Sequence, residues 1–202
     1  MNRFEVIKSY YEANMGKGLP DYSVLGWESE EAQRLRFEIL VDSVDLTGKS
    51  LLDVGCAMGS LLEYLKEKDI RCRYTGVDIL QSMIDEAKRK KLDGEFFCAD
   101  LFQNNIFEKK SFDVLYASGI FNLNLDNNLE FLHDAMQQFC ELTRETVVFN
   151  LLHIGSPDKE DTYYYYRPEE VHHLAEGLGH RFGRIRIVEN YLKNDFTVIC
   201  NK

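Results

Sequence analysis

The sequence predicts an α/β domain: a doubly wound parallel sheet with helices on both faces and an antiparallel strand added at its end. Three observations carry this. From Ser50 onward, short apolar runs alternate with amphipathic helical ones, the pattern of strand–helix–strand units. The first apolar run stops at an acid and enters a glycine-bearing turn, "LLDVGCAMGS" (51–60). The final stretch, "RIRIVENYLKNDFTVICN", holds two strand-like runs about a polar connection with no helix between them, a hairpin signal.

The elements follow in order. Phe4, Ile7, Tyr10 and Tyr11 are apolar at helical spacing, and "GKGLPDYSVLGW" then breaks the chain. A second helix is predicted over roughly 28–43, with Leu35 and Ile39 on one face. These two helices read as a cap (1–47) on a core (48–202), together one domain. "SLLDVG" is a buried strand, "SLLEYLKEKD" a helix, "RYTGVDI" a strand and "QSMIDEAKRKKL" a helix. "GEFFCAD" is a short strand, "FDVLYASG" a strand, "LEFLHDAMQQFCELT" a helix and "TVVFNLL" a strand. "RPEEVHHLAEGLG" is a helix that proline opens near its first turn. Crossovers of this length are right-handed.

Composition limits the function. The chain has 202 residues, 45% of them hydrophobic, enough for one substantial core. A net charge of −10 gives no general attraction for phosphate backbones or anionic lipid. Nucleic acid and membrane partners are therefore disfavoured, and a small-molecule partner is expected. Cys56, Cys72, Cys98, Cys140 and Cys200 are scattered without CxxC or Cys/His clustering. They read as reduced thiols of a cytoplasmic protein, with neither a disulfide framework nor a metal site. No apolar run matches a signal peptide or a membrane span.

In open α/β sheets ligands bind at the carboxyl ends of strands, where strand order reverses. Gly55, Ala57 and Gly59 let a ligand approach the backbone there. A dinucleotide fingerprint would need glycine at Ala57 and Ser60, and Asp53 would repel a pyrophosphate. A ligand with an ammonium and a sulfonium but no phosphate suits Asp53 better. Asp78, ending the second strand, can accept both ribose hydroxyls, and it would serve equally as a helix cap. Asp100, after the third strand, can accept from an adenine amino group, with a solvated loop acid as the lesser alternative.

On these residues the stretch from Ser50 onward resembles the class I S-adenosylmethionine-dependent methyltransferases. "LLDVGCAMG" is similar to the first motif of that family, "GVDI" to its ribose-binding acid and "FFCADL" to its adenine-contacting acid. The resemblance implies a Rossmann-like sheet of order 3-2-1-4-5-7-6 with strand 7 antiparallel. It also implies S-adenosyl-L-methionine as cofactor. The implied contacts are Trp27, Arg36, Asp53, Gly55, Cys56, Ala57, Gly59, Asp78, Ile79, Met83, Asp100, Leu101 and Ser118. "LGWESEEAQRLRFEIL" resembles a segment ahead of the first motif in small bacterial methyltransferases of uncertain substrate. There Arg36, or else Arg34, is expected to pair with the methionine carboxylate. Trp27 or Tyr22 is expected to close over the sulfonium.

Candidates on the acceptor side are fewer. Asn122, after strand four, could orient a substrate, and turn chemistry explains it equally well. His153, after strand five, has a near-neutral pKa suited to a general base, and a lone loop histidine is more often incidental. Tyr163 and Tyr165 of "TYYYYRP" either line an acceptor pocket or bury alternate rings. His172 and His173 lie in a predicted helix without a spaced carboxylate and read as surface or packing residues. The expected reaction is methyl transfer to an oxygen or nitrogen of a small molecule or protein side chain by in-line displacement, which needs no metal. Two alternatives stay open: an RNA methyltransferase, and a non-catalytic subunit that only binds the cofactor.

Overall fold

A computed structural model describes residues 2–202. One seven-stranded sheet runs β3-β2-β1-β4-β5-β7-β6. Its strands are β1 (Ser50–Val54), β2 (Arg73–Asp78), β3 (Glu95–Cys98), β4 (Phe112–Ala117), β5 (Thr143–Leu152), β6 (Arg184–Val188) and β7 (Asp195–Asn201). β1 through β5 are mutually parallel, and β7 lies antiparallel between β5 and β6. This is the predicted order, including the reversed strand. Reversal follows from the connection, since β6 returns to β7 directly and parallel pairing needs a crossover helix.

Strand side chains alternate between two cores, as the two-residue period requires. On β4, Phe112, Leu115 and Ala117 face the core made with α6 (Asn128–Leu142) and α7 (Pro168–Gly177). Val114 and Tyr116 face the opposite core, made with α3 (Glu30–Ser43), α4 (Ser60–Glu67) and α5 (Gln81–Arg89). Both faces are covered, so these strands are apolar throughout.

The cap departs from expectation in one respect. The segment read as a simple break contains a short helix, α2 (Asp21–Val24), introduced by Pro20. Proline fixes its own φ for a first turn, and Asp21 follows where a helix favours an acid. α3 starts at Ser29, whose hydroxyl accepts from the Ala32 amide at 3.1 Å. α1 (Arg3–Glu12) has no fully buried residue. Phe4, Ile7 and Tyr11 pack only on a small cluster of Val24, Ala57, Met58, Leu80 and Met83. α1 and α2 therefore rest on the carboxyl ends of the strands, whereas α3 is part of a main core.

Among the described residues no helix is long and apolar enough to cross a membrane.

Candidate active site

The carboxyl ends of β1, β2 and β4, with the turn after β3, enclose one cavity of roughly 1080 Å³, mouth included. β1 contributes Asp53 and the turn Gly55–Cys56–Ala57; β2 contributes Asp78 and Ile79. Asp100, Leu101 and Phe102 follow β3, and Tyr116, Ser118, Gly119 and Ile120 end β4. Arg3, Ile7 and Tyr11 of α1, with Trp27, Gln33 and Phe37, close the roof.

The β1 turn requires its glycine. Gly55 has φ +76°, and a Cβ there would lie 2.2 Å from Ile120 Cγ2. Ala57 takes a left-handed φ of 46° despite its Cβ. Its amide donates to Asp78 Oδ2 at 3.0 Å, while the Leu80 amide donates to Oδ1 at 2.9 Å. Asp78 thus ties the β1 turn to the β2 turn and still lines the cavity. The acid does not cap α5, whose N-cap position is Leu80 with no side-chain cap bond; it braces the two turns instead.

Two of the acids are held toward neutrality. Burial pushes the Asp53 carboxyl up to about 7, against a 2.5 Å bond from the Tyr74 hydroxyl; the neighbouring Asp78 adds to the rise. Burial pushes Asp78 up to about 6, opposed by the amides of Leu80 and Ala57. A cationic ligand would favour the ionised forms of both. Ser60 Oγ, Tyr116 OH and Ser118 Oγ belong to lining residues and are buried without a hydrogen-bond partner. Buried orphan hydroxyls beside ionisable acids fit a polar, positively charged guest.

The expected cofactor contacts largely converge. Trp27, Asp53, Gly55, Cys56, Ala57, Asp78, Ile79, Met83, Asp100, Leu101 and Ser118 all line the cavity. Gly59 does not: it caps α4 at φ +80° and backs onto Phe96 and Leu92. Arg36 is the main correction. Its Nε and Nη2 donate to Asp195 Oδ2 at 2.8 and 2.5 Å, and Nη1 donates to the Ala32 carbonyl at 2.6 Å. The side chain is 2% exposed and outside the cavity lining, so it is spent before any carboxylate arrives. Arg34 is turned outward to Glu67 at 2.6 Å.

The acceptor-side candidates also lie outside this cavity. Asn122 is buried with Oδ1 unpartnered, behind the β4 turn. His153 accepts from the Gly155 amide on Nδ1 at 2.7 Å and meets Glu189 through Nε2 at 3.2 Å. Both ring nitrogens are engaged away from the cavity, which argues against a general-base role. The tyrosine run alternates: Tyr166 is fully buried with Tyr164 edge-on to it, while Tyr165 receives the Glu160 amide at the surface. Tyr163 meets the Tyr10 hydroxyl of α1 at 2.5 Å, so it serves the cap. On α7, His172 and His173 do have a carboxylate at helical spacing, since Glu176 lies within reach of both. The three are surface groups, and their contacts are ordinary one-turn ion pairs.

Sequence reasoning missed Arg3, Ile7, Tyr11, Gln33 and Tyr116 as lining residues. No motif marks the α1 contacts, whose only signal was an apolar stripe too thin for a core helix.

Sheet order, strand-end acids and a phosphate-averse turn define a nucleoside-binding α/β domain of the methyltransferase type. Comparison with known proteins agrees, for a family model described as a methyltransferase domain matches residues 51–146. The chain thus carries a methyltransferase domain, on the fold of the class I S-adenosylmethionine-dependent methyltransferases. A candidate methyltransferase of Mycobacterium tuberculosis is 25% identical over 163 residues, covering 76% of this chain and 93% of its own. The malonyl-[acyl-carrier protein] O-methyltransferase of Acetivibrio thermocellus is 30% identical over 96 residues, 45% of this chain and 33% of its own. In fold, magnesium protoporphyrin IX methyltransferase of Synechocystis, solved with S-adenosylhomocysteine, matches with a TM-score of 0.67 at 15% identity. That match covers 96% of this chain and 93% of the other.

Proposed function

We propose that this protein transfers a methyl group from S-adenosylmethionine to an oxygen or nitrogen of a small molecule. The observation that carries the reading is convergence: Asp53, Asp78 and Asp100, from three successive strand ends, line one cavity beside the Gly55 turn. In this reading Asp78 and Asp100 face the nucleoside, and Asp53 with the orphan hydroxyls faces the methionine end. The cofactor supplies a methyl on a cationic sulfur, so the protein's part is to bind, orient and exclude water. Residues 1–47 act as a cap over this site, closing it through α1.

A small acceptor is supported by the enclosed cavity and by the net charge of −10, which disfavours a polyanion. The Acetivibrio relative is, by name, an O-methyltransferase. The test is calorimetric titration with S-adenosylhomocysteine, followed by a panel of small hydroxyl, carboxyl and amine acceptors assayed for its formation. Binding with turnover on one acceptor class supports the proposal. Binding without turnover across the panel would leave a binding subunit, and tighter binding of NAD than of S-adenosylhomocysteine would overturn the reading.

A further inference from the structure

Behind the cavity a closed circuit of side chains joins the cap to β5 and β7 of the sheet. Asn150 of β5 accepts from the Gly119 amide through Oδ1 at 3.1 Å. Its Nδ2 donates to both oxygens of Asp195 at 3.1 Å. Asp195 takes the Arg36 fork and the Tyr191 hydroxyl, the latter at 2.7 Å. The Arg36 guanidinium lies 4.1 Å from the centroid of Trp27. Trp27 closes the circuit: at Gly119 (φ +82°) a Cβ would stand 2.9 Å from its Cη2. Only glycine lets the indole lie flat on that turn. Of these groups, Trp27 and Gly119 line the cavity, while Arg36, Asn150 and Asp195 do not.

A buried ion pair is a poor source of net stability, because desolvation offsets most of its attraction. An Arg–Asp pair that also takes the Asn150 amide and the Tyr191 hydroxyl is better explained by what it fixes in place. Arginine suits this duty, since its planar fork binds a carboxylate and stacks on an aromatic face at once.

We infer that Arg36, Asp195 and Asn150 form a positioning network that holds the Trp27–Gly119 wall of the cofactor cavity, without touching the cofactor. The inference rests on the methyltransferase reading for the identity of the cavity's ligand, but not for the circuit itself. Arg36 is then a positioning residue and not a carboxylate clamp. The wall it sets lies at the β4 end of the cavity, opposite the β2 and β3 acids.

Trp27 is the chain's single tryptophan, so its emission reports this wall alone. The experiment measures acrylamide quenching of Trp27 and calorimetric binding of S-adenosylhomocysteine in the full chain. It compares the parent with Arg36→Lys, with the milder Tyr191→Phe, and with Leu132→Ala as a core-destabilised control remote from the circuit. Lysine keeps the charge but loses the fork and the stack. The expected result for Arg36→Lys is easier quenching and roughly tenfold weaker binding. Saturating S-adenosylhomocysteine should return the quenching to the parent level. Tyr191→Phe, which removes one hydroxyl, should move both readouts the same way by less, and Leu132→Ala should move neither.

If Arg36→Lys fails to fold, Tyr191→Phe decides the outcome. Unchanged quenching in a folded circuit variant overturns the inference. Weakened binding with unchanged quenching would make Arg36 a direct cofactor contact, which also overturns it. A parent protein that does not bind S-adenosylhomocysteine defeats the methyltransferase reading instead, and the quenching comparison still judges the circuit.

Discussion

Arg3 and Asp100 stand 97 positions apart and meet at the cavity rim, with Nη2 2.5 Å from Oδ2. The Arg3 guanidinium also lies over Phe131 and Phe102, 4.7 and 5.0 Å from their centroids. One residue of α1 thus bridges the third-strand acid and the aromatic flank of α6. Since α1 has no fully buried side chain, this bridge, the Tyr10–Tyr163 bond and a 3.4 Å bond from the Ser82 hydroxyl to Glu12 are what attach it by polar groups to the core.

Arg3→Ala should therefore loosen α1 while leaving the sheet intact. The lost ion pair and stacking amount to roughly 1–2 kcal/mol of local docking energy. Limited proteolysis should cut within the first twenty residues faster than in the parent, and S-adenosylhomocysteine should slow the cutting. An unchanged rate would mean that the apolar stripe alone holds α1.

The Asp53 carboxyl gives a pH dependence. A folded-state value near 7, raised by burial from 3.8, favours the protonated form in the native protein. Its stabilising contribution is complete below 3.8 and is lost as pH rises through about 7. Between about pH 4 and 8 the ligand-free protein should lose stability relative to Asp53→Asn, most steeply near pH 5–6 at about 1.4 kcal/mol per pH unit, and level off above about pH 8. Cationic S-adenosylmethionine should bind more tightly across the same interval, because it favours the carboxylate. Parallel melting curves for the two proteins at all pH values would contradict this.

Asp78 calls for a gentler substitution than alanine. It accepts the Ala57 and Leu80 amides, so alanine would orphan two donors as well as remove a ligand contact. Asp78→Asn should stay folded and bind S-adenosylhomocysteine at least tenfold more weakly, or about 1.4 kcal/mol. Calorimetry showing parental affinity would place the ribose elsewhere.

Gly55→Ala should abolish cofactor binding at a stability cost of roughly 2–3 kcal/mol. The new methyl would sit 2.2 Å from Ile120 Cγ2 at a backbone angle of +76°. A variant that melts and binds like the parent would show that the β1 turn does not hold the ligand.

The tyrosine run separates packing from surface. Tyr166→Ala should destabilise by about 3–5 kcal/mol, since a fully buried ring and its bond to the Phe121 carbonyl are lost. Tyr165→Ala should change the melting temperature little, within about 0.5 kcal/mol. Equal effects would contradict the alternation of rings.

A parallel sheet with one reversed strand was legible because strand–helix alternation is local and the helix-free final hairpin leaves β7 only one direction; the order of the strands came from the family resemblance. The strand-end acids were legible for a similar reason: a carboxylate that ends an apolar strand shows in a short window, as Asp53 and Asp78 do. Arg36 was misread because its partner lies 159 positions away on β7. Nothing near "RLRFEIL" signals a buried aspartate, so an unpaired arginine beside a cofactor motif invited a ligand. His153 was left with two readings for the same reason, its partner Glu189 standing beyond β6. α2 escaped notice because four residues carry no period; α1 was legible as a helix, but its place over the cavity was not, because its stripe contacts a roof and not a core.

Asp195 has a consequence for how the protein becomes competent. Every residue that lines the cofactor cavity lies between Arg3 and Phe131, in the earlier two-thirds of the chain. Yet the carboxylate that anchors Arg36 lies on β7, which can join β5 only after β6 has been made. During synthesis the ligand-facing surface is thus complete long before its support, and the indole wall can settle only when the hairpin docks. Affinity for S-adenosylhomocysteine in ribosome-stalled chains should rise late, at the release of β7. Ligand capture would then mark the completion of folding and not the appearance of the motif.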